Sequence, residues 1–205
     1  VVTRVSSSEV TFTTSAQAAG SYIIYVVNTD GSTGLAVPGL QYSGVPSWTT
    51  AAGSLATVYE TAAISNSLSA SSDSAVTYSV ESGTLPTGVT LFAGSGLVSG
   101  TAPVVESSTT YNFTVTASDG ENQDTARNFS YTVNPDVVTW SSPSSGATLS
   151  GTVGTAYTQA LSATSAAGKT ISYSANALPA GLSISGSSII GTPTAASSIS
   201  SLITA

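Results

Sequence analysis

The 205-residue sequence has no cysteine, no histidine and no methionine. Without thiols or imidazoles there can be no disulfides, no cysteine nucleophile, no Ser-His pair and no zinc site built on Cys or His. Charge is also scarce: 6% of residues are charged, against a usual ~25%. The surface must therefore be made largely of Ser, Thr, Asn and Gly. Three basic residues face ten acidic ones, a net charge of -7. Nucleic acid is not an expected partner, because binding its backbone takes clustered Lys and Arg to displace counterions. Long apolar runs are missing as well. The longest is "YIIYVV" from Tyr22 to Val27, far short of the ~20 residues of a membrane-spanning helix, so membrane insertion is not expected. The opening "VVTRVSSSEV" has no charged segment followed by an apolar one, as a secretion signal would.

Alternation is what the sequence does have. In "YNFTVTA", Tyr111, Phe113, Val115 and Ala117 point one way and Asn112, Thr114 and Thr116 the other, the period of a half-buried antiparallel strand. Similar runs are "VTFTT" at Val10, "VTYSV" at Val76, "FSYTV" at Phe129 and "ISYSA" at Ile171, all rich in β-branched and aromatic residues. Turn signals separate them: "NTDG" at Asn28, "ESG" at Glu81, "SDGEN" at Ser118 and "NPD" at Asn134. The Ala-rich "SLATVYETAAISNSLSA" lacks an i, i+3, i+4 stripe and predicts two strands with a short connection. The expected fold class is all-β.

The chain also repeats itself. "TLPTGVTLFAGSGLVSGTAP" from Thr84 returns as "ALPAGLSISGSSIIGTPT" from Ala177. Trp48 and Trp140 are 92 residues apart, Leu85-Pro86 and Leu178-Pro179 are 93 apart, the two "LSA" triplets are 93 apart, and Gly100-Thr101 and Gly191-Thr192 are 91 apart. One period near ninety residues is the size of an Ig-like sandwich. In both copies Pro fixes an extended entry, and a Gly two residues later (Gly88, Gly181) permits positive φ. The segment reads as a corner of a β-sandwich.

These segments, with "YNFTVTASDGENQDTARNFSYTV" closing the first copy, resemble the signature of Ig-like, cadherin-like repeat domains, over Pro46 to Ala205. Residues 1–43 do not fit that repeat. There "VTFTTSAQAAGSYIIYVVNTDGSTG" resembles the closing half of an IPT/TIG-type Ig-like domain. The resemblance implies tandem Ig-like β-sandwich domains: 1–43 the C-terminal part of an IPT/TIG-like domain, 44–135 one Ig-like/cadherin-like domain, and 136–205 a second that lacks the equivalent of Ser118 to Val133. The chain is thus expected to continue in both directions.

Chemistry is sparse. "ATSAAGKT", Ala163 to Thr170, matches a relaxed P-loop, but such a loop needs a helix after it and a strand is expected here. Cadherin-like repeats often bind calcium through Asp runs, since calcium takes 6 to 8 oxygens. Here one such loop has shrunk to "SSDSA" with Asp73 alone. The best oxygen cluster is Asp119, Glu121 and Asp124, with Asp136 as an addition; a solvated hairpin is the favoured reading. Carboxylate pairs can hydrolyse glycosides, yet the ten acids are scattered singly in turns and strand ends. No catalytic, cofactor-binding or metal residue is assigned, and no enzyme is expected. Lys169, the only Lys, is poorly placed for an isopeptide bond. Trp48 and Trp140 could stack sugars, but their equivalent positions favour packing at domain entrances. Asn112 and Asn128 match glycosylation sequons inside strands and are read as accidental.

The opening "VPSWTTAAGSLATVYE" resembles versions of the repeat in tail fibres and virion proteins of large tailed phages. The expected role is mechanical: a stalk, fibre or decoration segment on a virion surface. Its expected partners are other virion proteins, further copies of itself and host-surface glycans, with no cofactor. A bacterial surface adhesin or carbohydrate-binding module is the alternative, and an accessory module of a secreted polysaccharide-degrading enzyme a third reading.

Overall fold

The computed structural model describes residues 2–6, 9–120 and 123–205. Every element of regular structure among them is a β-strand. At the N-terminal end β1 (Val2–Arg4) pairs antiparallel with β2 (Val10–Phe12), and β3 (Gly20–Val27) with β4 (Thr33–Tyr42). The second pair folds about the "NTDG" turn, closed by the Gly31 N–H on the Asn28 carbonyl at 3.0 Å. Two strands make no core by themselves: Ile23, Tyr25 and Leu35 are 74%, 63% and 68% exposed.

The middle of the chain builds a complete sandwich. Its strands are β5 (Ser47–Trp48), β6 (Gly53–Tyr59), β7 (Ala63–Ser67), β8 (Ala70–Ser71), β9 (Thr77–Gly83), β10 (Val89–Phe92), β11 (Leu97–Thr101), β12 (Thr109–Ser118) and β13 (Asp124–Asn134). One sheet has the order β6-β13-β12-β9, with β6 parallel to β13 and the other pairs antiparallel; the facing sheet is β10-β11-β7. The Ala-rich stretch is indeed two strands, β6 and β7, joined by three residues. Alternation settles which side chains face inward. Phe113, Val115 and Ala117 of β12 and Phe129, Tyr131 and Val133 of β13 are buried, while their polar neighbours face out. Trp48, Phe129, Phe113 and Tyr131 form a ladder with ring centroids 5.4 to 6.1 Å apart.

Burial pushes the Tyr131 phenol up to about 12, while its hydroxyl donates to Asn66 Oδ1 at 2.9 Å. A phenol whose folded pKa lies above its ordinary ~10 stabilises the fold fully below pH 10 and loses that contribution as pH rises towards 12. Alkaline denaturation should therefore steepen between pH ~10 and ~12. Tyr131→Phe should flatten that slope, and a slope unchanged by the substitution would refute the assignment.

The third unit has β14 (Val138–Ser142), β15 (Tyr157–Ala160), β16 (Ser162–Ser165), β17 (Ser174–Ala175), β18 (Leu182–Ser185), β19 (Ser188–Gly191) and β20 (Ile203–Thr204). It repeats the corner. Val89 N–H bonds the Pro86 carbonyl and Leu182 N–H the Pro179 carbonyl, both at 3.0 Å, with Gly88 at φ 85° and Gly181 at φ 91°. Its core is thin: Leu161, Ile189 and Pro193 are its buried apolar residues among those described.

Two local expectations fail. The "ESG" stretch is not a turn: Glu81 to Gly83 continue β9, with Ser82 and Gly83 paired to Thr114 and Phe113 and Glu81 left over at a register shift opposite Thr114/Val115. The "ISYSA" strand shrinks to Ser174–Ala175, because its partner β20 pairs over two residues only.

Candidate functional site: the junctions between repeats

Each junction is tied on both sides by hydrogen bonds. β4 ends at Tyr42, whose ring meets Tyr22 edge-on at 5.5 Å. The next residue, Ser43, already donates to Asp73 Oδ1 of the middle unit at 2.8 Å. The Gly44 carbonyl lies 3.4 Å from Ser72 Oγ, which is 3.0 Å from Asp119 Oδ2. The Ser43 hydroxyl, followed by that of Ser72, holds the Asp73 carboxyl below the ordinary carboxylate range.

At the second junction Asn134 closes the middle unit. Its carbonyl accepts from Glu60 N–H at 2.8 Å, and its side chain accepts from Ser108 Oγ at 2.7 Å. Two residues later Asp136 belongs to the third unit: Oδ1 accepts from Ala167 N–H at 2.9 Å and Ser165 Oγ at 2.7 Å, and Oδ2 lies 3.6 Å from Lys169 Nζ. The Ala167 amide, then the Ser165 hydroxyl, holds the Asp136 carboxyl below its usual range, with Lys169 adding to the effect. Between the two anchored residues stands Pro135 alone, whose ring fixes φ.

The two junctions use the same positions with the charge on opposite sides. Ser43 and Asp136 are 93 residues apart, one repeat. In the first, the linker supplies a hydroxyl and the loop the carboxylate (Asp73). In the second, the linker supplies the carboxylate and the loop the donors Ser165, Ala167 and Lys169. Either arrangement satisfies the acceptor without a metal ion.

Of the calcium candidates, Asp136 stands apart from Asp119 and Asp124, which flank one hairpin through the pairing of Ser118 with Asp124. Asp124 begins β13 and Asp136 lies beyond its other end, and β13 alone is about 33 Å long at ~3.3 Å per residue. Glu121 lies outside the described residues. Asp119, 6% exposed, turns instead to Ser72 beside Asp73. Sequence reading missed this because Asp73 and Asp119 are 46 residues apart. The pairing of Thr77 with Ser118 is what puts their loops at one end. The described residues hold no group of three or more metal-ligating side chains.

The other candidates sit in ordinary structural roles. In the P-loop-like stretch Ala163 to Thr170, Gly168 N–H closes a turn on the Ser165 carbonyl and the Ala167 amide holds Asp136, with no helix following. Lys169 pairs with Asp136 rather than with an Asn. Trp48 is 9% exposed, donates from Nε1 to the Thr125 carbonyl at 3.1 Å and lies under the Arg127 guanidinium. It offers no face to a sugar. Trp140 packs on Tyr173 at 5.6 Å, the relation Trp48 has to Tyr78. Asn112 and Asn128 lie in β12 and β13, and Asn128 Oδ1 accepts from Thr114 Oγ1 at 2.8 Å.

Asp136→Ala should leave the middle unit's stability unchanged and widen the distribution of distances between spin labels placed on the middle and third units. An unaltered distribution would show that the clamp does not hold the junction. Because the folded pKa of Asp136 is depressed, its contribution is present above the ordinary carboxylate pKa of ~3.9 and is lost as pH falls through the lowered value. Parent and variant should therefore converge in acid.

A sheet in which the first strand runs parallel to the last, facing a three-stranded sheet, with an aromatic ladder between, defines an Ig-like β-sandwich. The family described as "Putative Ig domain" matches residues 45–134 and again 138–205, and the chain belongs to this family. Domains of this kind are typically extracellular and non-enzymatic, with structural or adhesive roles. No curated protein matches the sequence. Among solved structures, an endo-fucoidan hydrolase from glycoside hydrolase family 107 aligns at 16% identity and TM-score 0.40, over 95% of this chain and 33% of that one. Human CDH23 EC21-23 aligns at 18% and 0.35 (85% and 64%), and Drosophila N-cadherin EC1-4 at 14% and 0.38 (87% and 50%). The chain spans about a third of the hydrolase.

Proposed function

We propose that this chain is a non-enzymatic spacer, a segment of a phage virion fibre, stalk or decoration protein that holds another element at a set distance on the virion surface. The observation that carries the reading is the second junction, where Asn134 is bonded to one unit, Asp136 to the next, and a single proline stands between them. A linker of one residue with fixed φ favours a semi-rigid rod over a flexible tether. On this reading residues 44–135 and 136–205 are successive beads and 1–43 is the closing part of a preceding IPT/TIG-like one. Partners are other virion proteins, further copies of the chain and host-surface glycans. Cryo-electron microscopy of the source particle should show these domains at fixed, symmetry-related positions on capsid, tail or fibre. Finding the chain only free in solution or on cell envelopes would overturn the reading in favour of a bacterial adhesin.

A further inference from the structure

In the middle unit the entering chain runs beside β13, in the same direction, for nearly the whole of that strand. β13 starts at the first junction's end, where Ser118 pairs with both Thr77 and Asp124, and stops at Asn134 of the second junction. Trp48 Nε1 donates to the Thr125 carbonyl at 3.1 Å, and Arg127 Nη1 to the Thr50 carbonyl at 2.6 Å. From Gly53↔Phe129 to Tyr59↔Asn134 the contact is a parallel ladder of six paired residues. Glu60 N–H on the Asn134 carbonyl closes it at 2.8 Å. β13 is held from behind as well: Phe129, Tyr131 and Val133 are buried, and the Tyr131 hydroxyl donates to Asn66 of β7. When β6 is drawn along its axis, β13 therefore cannot follow it.

We propose that the middle unit is a load-bearing element, and that its resistance to stretching resides in the pairing of residues 48–60 with β13. The proposal rests on the spacer reading for the direction of load: tension along such a rod enters by Ser43 and leaves by Pro135, at opposite ends of this pair. Two parallel neighbours pulled from opposite ends must slide past one another. The ladder bonds run between the strands rather than along them, so they share the load and must yield together. Strands drawn apart from one shared end release the same bonds singly. The ladder is thus strong in one direction and weak in the other, and a pull along the chain meets the strong one.

Because the chain has no cysteine, two introduced thiols are unique handles for single-molecule pulling of the whole chain. Val45→Cys with Val137→Cys, at positions 58% and 55% exposed, pulls along the axis. Thr61→Cys with Val137→Cys puts both handles at the second junction's end, beside the bonded Glu60 and Asn134, and peels the ladder from there. At one loading rate the axial pair should rupture at a force at least about twofold above the peeling pair, since forced unfolding is governed by the unfolding rate and not by equilibrium stability. A smaller ratio would overturn the proposal. The result does not depend on which particle or surface carries the chain, so this proposal and the spacer reading fail separately.

Discussion

Phe129→Ala should cost the middle unit about 4 kcal/mol, in the range for truncating a buried Phe. Phe129 is 2% exposed and sits between Trp48 and Phe113, with centroids 5.4 and 6.1 Å away. Its loss leaves a cavity between two rings that are each held in place, and neither can collapse into it without breaking a bond. Trp48 is pinned by its Nε1 to Thr125 and Phe113 by the β12 ladder. Since single domains are stable by only ~5 to 15 kcal/mol, the variant should sit near its threshold. Urea unfolding followed by tryptophan emission can check this, because Trp48 and Trp140 report on different units. The middle transition should move to lower urea while the third stays put. A loss below about 1.5 kcal/mol would mean the ladder is looser than these contacts imply.

Gly100→Ala should be nearly as damaging, at roughly 3 kcal/mol, although it adds a single methyl group. A Cβ at Gly100 would lie 2.1 Å from the Gly88 carbonyl oxygen and 2.7 Å from Val89 Cα, and φ there is +153°. Both obstacles are backbone, at the start of the paired strand β10 and the residue just before it, so no side chain can swing aside. The same contact exists one repeat later, where a Cβ at Gly191 would lie 2.1 Å from the Gly181 carbonyl oxygen. Gly94→Ala, at a position with nothing within 4 Å of the added carbon, is the control and should change stability little. If Gly100→Ala and Gly94→Ala melt together, close approach is not why the motif carries glycine.

Much of the fold was legible because it is local. A period of two in "YNFTVTA" assigns Phe113, Val115 and Ala117 to one face whatever lies opposite, and all three are buried. The "LPTGV" corner was readable because Pro and Gly restrict or free their own φ. The errors came where a partner decides. "ESG" stayed in β9 because β12 pairs on with Ser82 and Gly83 past a bulge at Glu81, and "ISYSA" shortened because β20 pairs over two residues. Asp136 is separated from the other oxygen candidates by direction rather than composition: Asp124 and Asp136 are twelve residues apart, and an extended strand carries them to opposite ends of the sandwich.

By itself the sequence determined an all-β chain with a ninety-residue repeat, and it removed thiol, imidazole and phosphate-cradling chemistry. These follow from side-chain inventory and local torsional preference, which need no knowledge of neighbours. Only the tertiary structure decided that Ser43 finds Asp73, that Asp136 finds Ser165 and Ala167, and that Pro135 alone stands between two anchored residues. Those pairings depend on which loops the sheets bring to one end, a consequence of strand order and register that no single stretch of sequence encodes.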